Sequence, residues 1–148
     1  MPFDGSLEEH RLAGASLRNG MHKRVRLVTS AFANERCCAL GRWIHENGAR
    51  WDNAPELQQL KLAHASFHTV ALVIAISITQ GRLAEAAVML EPDALFDSAT
   101  RALAHAVSRF ERCPDLGPSP ACTSVSQGPL TFRLTRQPGR CMNPVRGT

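Results

Sequence analysis

The sequence predicts an all-α fold, and three observations carry that expectation. Apolar residues recur at three- and four-residue spacings over long stretches, the signature of an amphipathic helix rather than the alternation of a strand. Residues with helix-capping chemistry stand at the ends of those stretches. The composition is 44% hydrophobic but only 5% aromatic, with no Tyr, which favours Leu/Ala-rich helix packing over a β-sandwich. At 148 residues the length prior gives one folded domain. The expected architecture is an antiparallel four-helix-type bundle, with a short Cys-bearing second helix and a disordered C-terminal tail.

Leu7 to about Phe32 reads as the first helix, with Leu12, Leu17, Met21, Val25 and Val28 as its apolar positions. Gly14 and Gly20 weaken it and allow a bend. Asn34 stands where an N-cap would start a short second helix, about Glu35 to Glu46, with Asn47-Gly48 at its end. Pro55 suits the first position of a third helix reaching about Gln80. Its inward stripe is Leu57, Leu60, His64, Phe67, Ala71, Ile74 and Ile78. Leu83 to Leu90 is a further helical piece. Asp93 is expected to cap a last helix, through Leu95, Ala99, Leu103 and Val107, to about Arg112.

The bundle is thus expected over residues 5–112, and 113–148 form a basic tail. That tail holds six of the nine prolines and few apolar side chains, too few to offset its chain entropy. It also carries most of the charge. Residues 1–112 have 13 Lys+Arg and 12 Asp+Glu, while the tail has four Arg against Asp115 alone. A near-neutral folded part argues against nucleic-acid binding, which wants a basic face. The longest apolar run, Val70 to Ile78, is too short to span a bilayer, and the acidic N-terminus does not read as a signal peptide. Five cysteines, an odd number, read as reduced thiols in a cytoplasmic protein.

Four residues converge as candidate metal ligands: His10, Cys38, His64 and His68. His64 and His68 are four apart on one helix, so their imidazoles lie one above the other, about 6 Å apart along the axis. A lone inward histidine is more often a hydrogen-bonded core residue, and a lone cysteine a small hydrophobe. Two inward histidines with no partner are costly to bury, and a thiol and a third imidazole complete a tetrahedral set that suits Zn2+. His45, seven residues after Cys38, is a reserve ligand. His22 sits beside Lys23 and Arg24 and reads as solvated, and His105 reads as packing. Gly41 is expected to admit a close neighbour, and Leu40 and Trp43 to give the site apolar cover.

His10-Arg-Leu12, Cys38-Ala-Leu-Gly-Arg-Trp43 and His64-Ala-Ser-Phe-His68, at these intervals, resemble the chemoreceptor zinc-binding (CZB) domain family. The resemblance covers about residues 5–112. It implies a small helical bundle, commonly a homodimer, that binds zinc through three His and one Cys, matched here by His10, His64, His68 and Cys38. It also implies a sensory role towards zinc or oxidants such as hypochlorous acid, with a chemoreceptor or diguanylate cyclase as partner. Neither a receptor signalling helix nor a cyclase domain accompanies the motif in this chain.

A catalytic zinc keeps one position open, and four protein ligands leave none. With no His-Glu-x-x-His, Gly-x-Ser-x-Gly or phosphate-binding glycine loop, the sequence reads as non-enzymatic. One thiolate among three neutral imidazoles would leave the metal-loaded site at net +1, which favours the thiolate. The expectations are a cytosolic sensory module, a plain zinc-stabilised scaffold for protein–protein interaction and, third, a zinc buffer.

Overall fold

A computed structural model of the chain describes residues 3–113, and the expected tail beyond Cys113 lies outside the described residues. The described residues are all-α: α1 (Asp4–Lys23), α2 (Ser30–Ala33), α3 (Ala39–Asn47), α4 (Pro55–Thr79), α5 (Leu83–Met89) and α6 (Leu95–Glu111). Two 3-10 turns, Glu35–Cys37 and Gly48–Trp51, flank α3.

α4 is the central element and packs against α1, α2, α5 and α6. Pro55 begins it, where its missing N–H costs nothing. Every residue of the stripe expected for this helix is buried: Leu57, Leu60, His64, Phe67, Ala71, Ile74 and Ile78. By length and composition alone α4 could cross a membrane. Its stripe instead packs into the core formed with the other helices.

Aromatic contacts give the helix directions. Phe3 meets Phe110 at 6.2 Å between ring centroids, and a Cβ at Gly14 would touch Phe96, so α6 runs antiparallel to α1. Phe67 meets Phe96 at 5.4 Å and Trp51 meets Phe110 at 6.0 Å, so α6 also runs antiparallel to α4. α1 and α4 therefore point the same way, and the antiparallel expectation holds for α6 against each of them.

α1 differs from the sequence expectation in length and face. It stops at Lys23 because Arg24 adopts a left-handed conformation, φ 51°. There the Arg24 N–H donates to the Met21 carbonyl at 3.3 Å and the Val25 N–H to the Gly20 carbonyl at 3.2 Å, the double bond of a Schellman motif. Of the apolar positions expected there, Leu17 is buried and Met21 packs half-buried against the core, but the row through Leu12 is not the buried face. That face is Phe3, Ser6, His10, Ala13, Leu17 and Gly20, whereas Leu12 is 54% exposed. The helix runs through both glycines without interruption. A Cβ at Gly20 would lie 2.6 Å from Leu27, and one at Gly14 would lie 2.6 Å from the Phe96 ring. Both are places where a neighbour rests on bare backbone.

The other helix starts also moved. Asn34 does cap, but its side chain accepts from the Arg36 N–H at 3.1 Å and serves only the 3-10 turn. The cap of α3 is Cys38, extended at φ −83° and ψ 161°, so this helix begins at Ala39 and not Glu35. Asp93 does not cap α6 with its side chain: it is left-handed at φ 61°, and its N–H donates to an Asp97 carboxylate oxygen at 3.2 Å.

Helix propensity alone makes Gly14→Ala stabilising by about 1 kcal/mol. The buried Phe96 ring opposes it, because an added methyl forces that ring out of its seat at a cost of about 1–3 kcal/mol. The expected result is a lower urea midpoint for Gly14→Ala. A higher midpoint would mean that Phe96 yields freely and that α1 and α6 are not seated on this glycine.

Candidate metal centre

His10 comes from the buried face of α1, Cys38 from the N-cap of α3, and His64 and His68 from the inward stripe of α4. One ligand atom from each lies within 4.8 Å of all the others, and all four side chains are buried. Cys38 Sγ is 3.0 Å from His64 Nε2 and 3.7 Å from His68 Nε2. In a tetrahedral zinc site such atoms are about 3.3–3.6 Å apart, given bonds of about 2.3 Å to sulfur and about 2.0–2.1 Å to nitrogen. The residues the sequence singled out are therefore at coordinating distance of one another, and they could hold a metal ion.

The chain also orients them. His10 Nδ1 donates to the Ser6 carbonyl at 2.5 Å, and His68 Nδ1 donates to the Phe32 carbonyl at 2.8 Å. In each ring the proton is held on Nδ1, so the Nε2 lone pair is left for the centre, the usual arrangement behind a metal-ligating histidine. His10 Nε2 is buried and has no hydrogen-bond partner among the described residues. A buried acceptor left unmatched costs about 1–3 kcal/mol, and a cation at the centre would satisfy it. The four side chains therefore fit a metal ion on this structure's own terms.

Cys38 is tied in twice. Its Sγ accepts from the Gly41 N–H at 3.2 Å, capping α3, and as a thiol it donates to the Glu35 carbonyl at 3.4 Å. Gly41 is where a close approach is required, since a Cβ would lie 1.7 Å from the Glu35 oxygen and 3.0 Å from the His64 ring. Glu9 was not expected. Its carboxylate accepts from the Ala39 N–H at 3.0 Å, fastening α1 to the first turn of α3 beside the site. An acidic residue directly before His10 was the available signal, but only the fold reveals that it faces a helix start.

The aromatic cover also differs from the expectation. Phe67 is the ring against the ligands, 4.8 Å from His10 between centroids. Trp43 is instead stacked on Trp51 at 5.6 Å and set edge-on to Phe3 and Phe110, in a separate aromatic cluster. His45 and His22 are exposed and outside the centre, and so is His105, which does not pack as expected. Cys37 ends the 3-10 turn and is half-buried, while Cys38 faces the histidines.

Burial sets the protonation of the metal-free centre. It pushes His10 down to about 4 and His64 down to about 3, and it lowers His68 as well. The imidazoles are thus neutral, with lone pairs available, throughout the physiological range. Burial pushes the Cys38 thiol up to about 11. Before metal enters, then, Cys38 is a protonated thiol, and the thiolate expected from the sequence requires the cation's charge.

These shifts fix the sign of the pH dependence for the metal-free protein. In the unfolded chain the imidazoles bind protons near 6.5, whereas in the folded chain His10 and His64 do so only near 4 and 3. Between those values the unfolded state holds more protons, so stability is intact above about 6.5 and is lost as pH falls towards 4. Urea midpoints in chelator should drop from pH 7.5 to pH 5, and His10→Phe should flatten that slope. A midpoint independent of pH over this range would mean that the imidazoles are not buried neutral.

Compared with known proteins, the chain matches no protein-family profile, no curated protein and no solved structure. What the centre does is therefore read from its own residues.

Proposed function

We propose that this protein is a cytosolic zinc-binding sensory module whose signal is a change at Cys38. The observation that carries the reading is the buried cluster of three imidazoles and one thiol at coordinating distance. Zn2+ suits it best: the ion prefers four nitrogen and sulfur donors in a tetrahedron and needs no redox chemistry of its own. With four protein ligands there is no open position for substrate, which favours a regulatory or structural role over catalysis. The resemblance of the His10, Cys38–Trp43 and His64–His68 segments to CZB domains supports the same reading. It extends the proposal to an antiparallel four-helix-type bundle working beside chemotaxis or cyclic-di-GMP signalling proteins.

A sensor needs a ligand that can be withdrawn, and Cys38 is the one suited to it. Hypochlorous acid converts a thiolate to a sulfenic acid: sulfur loses two electrons and gains the OH, and chloride leaves. The product is a poorer ligand, so coordination falls from four to three. Cys38 also caps α3, and loss of its sulfur from the centre removes one tie between that helix and α4. The exposed apolar residues Leu62 and Val73, on the outer side of α4, are where a homodimer would read the change. A chemoreceptor or a diguanylate cyclase is the partner that the resemblance suggests.

Hydrogen exchange on the zinc-loaded protein, with and without one equivalent of hypochlorous acid, tests the proposal. The expected result is zinc release with deprotection concentrated in residues 35–47, while Pro55–Thr79 stays protected. Zinc retained after Cys38 is oxidised, or deprotection spread evenly over all the helices, would leave a zinc-stabilised scaffold for protein–protein interaction with no switch.

A further inference from the structure

The groove between α1 and α6 has a chemistry that the metal centre does not use. Its volume is about 430 Å³, within the usual range for small-molecule sites. Arg11 and Arg18 line one side of it and Arg101 the other. Leu7, Phe96 and Ala104 give the groove an apolar wall, and the Thr100 hydroxyl beside them donates to the Phe96 carbonyl at 2.8 Å. One carboxylate, Asp97, also lines the groove, but it is turned to Arg101 at 3.7 Å, which leaves Arg11 and Arg18 as the cations not offset by an acid. In another groove among the described residues, between Glu35, Asp52 and Lys61, the Lys61 ammonium is already paired with Asp52 at 2.7 Å.

The three guanidinium groups are differently engaged. Arg101 is held in place by Asp93 at 2.7 Å and Asp97 at 3.7 Å. Arg18 donates one Nη2 bond to the Leu90 carbonyl at 2.9 Å. Its other terminal nitrogen sits over the bare backbone of Gly14, 3.2 Å from where a Cβ would be. Gly14 thus seats Arg18 as well as Phe96. Arg11 is exposed and makes no ion pair among the described residues. Arg11 and Arg18 are seven residues apart, two turns along the same face of α1, about 10 Å. One cationic side chain is therefore free and a second is pre-positioned, both beside an apolar wall.

We infer that this groove binds a small organic carboxylate with an apolar body. The carboxylate would take paired N–H bonds from Arg11 and Arg18, the geometry a planar guanidinium fork offers. The apolar body would lie against Leu7, Phe96 and Ala104. Aqueous phosphate has the charge but nothing for that wall. A neutral alcohol has the body but nothing for the arginines. His10 is shared between this groove and the metal centre, but the carboxylate contacts proposed here use Arg11 and Arg18 and do not involve it.

Benzoate titrated into the 15N-labelled full-length protein tests it, with benzyl alcohol and inorganic phosphate as the two controls. The expected result is saturable amide shifts confined to residues 7–18 and 96–104 with benzoate. Arg11→Gln, at an exposed position, should weaken benzoate about tenfold with the metal content unchanged, and Arg18→Gln should weaken it too. Three results would overturn the inference: benzyl alcohol or phosphate binding as well as benzoate, affinity unchanged in both variants, or shifts that fail to saturate or that fall elsewhere. Metal content measured on the same samples keeps a failure here distinct from a failure of the zinc proposal.

Discussion

The constraint on which the rest depends is the burial of three imidazoles and a thiol together, facing one another. Removing such groups from water costs free energy unless each finds a partner. The chain supplies partners for the outer nitrogens of His10 and His68 through the Ser6 and Phe32 carbonyls, and it leaves the inner donors to one another. At His10 Nε2 even that is missing among the described residues. A protein that merely needed a core at this level would place leucine there at lower cost. A cation reverses the balance, because it turns four costly lone-pair donors into ligands, and structural zinc sites in small domains return on the order of 10 kcal/mol.

The packing around the centre follows from that convergence. His10 reaches the centre from an α1 face that also carries Ser6, Ala13, Gly14 and Gly20, with Phe96 and Leu27 lying against the two glycines. Cys38 reaches it because the chain breaks between the turn Glu35–Cys37 and α3, which leaves the sulfur as the helix cap. Gly41 lets the Glu35 carbonyl close over that cap, and Glu9 fastens the same helix start to α1. The separate Phe3, Trp43, Trp51 and Phe110 cluster closes the end of the bundle where α1 and α4 begin and α6 ends.

The parts of this that the sequence disclosed are those governed by period and by donor chemistry. α4 was legible because its stripe is long, regular and apolar, and His64 and His68 fall within it. Cys38 and His10 were legible as donors, although the local pattern gave neither its correct setting. The α1 face was misread in part because, Leu17 apart, its inward helical residues are Ser6, His10, Ala13, Gly14 and Gly20, which carry little hydrophobic signal, while the outward Leu12 does. Helix starts at Asn34 and Asp93 were misplaced for a related reason: caps were assigned by residue type, whereas the Cys38 sulfur caps α3, and Ala94, with no side-chain cap bond, stands at the start of α6 after the left-handed Asp93. Glu9 and the arginine groove depend on which helices face each other, and no local pattern encodes that.

X-ray absorption at the zinc edge of the purified, zinc-loaded protein tests the central claim most directly. The account predicts one zinc per chain with one sulfur at about 2.3 Å and three imidazole nitrogens at about 2.0–2.1 Å. His64→Ala should lose that signature, and His22→Ala, altered at an exposed histidine, should retain it. A first shell of oxygen and nitrogen without sulfur, or an unchanged spectrum in His64→Ala, would place the metal elsewhere and leave the buried cluster without the role given to it.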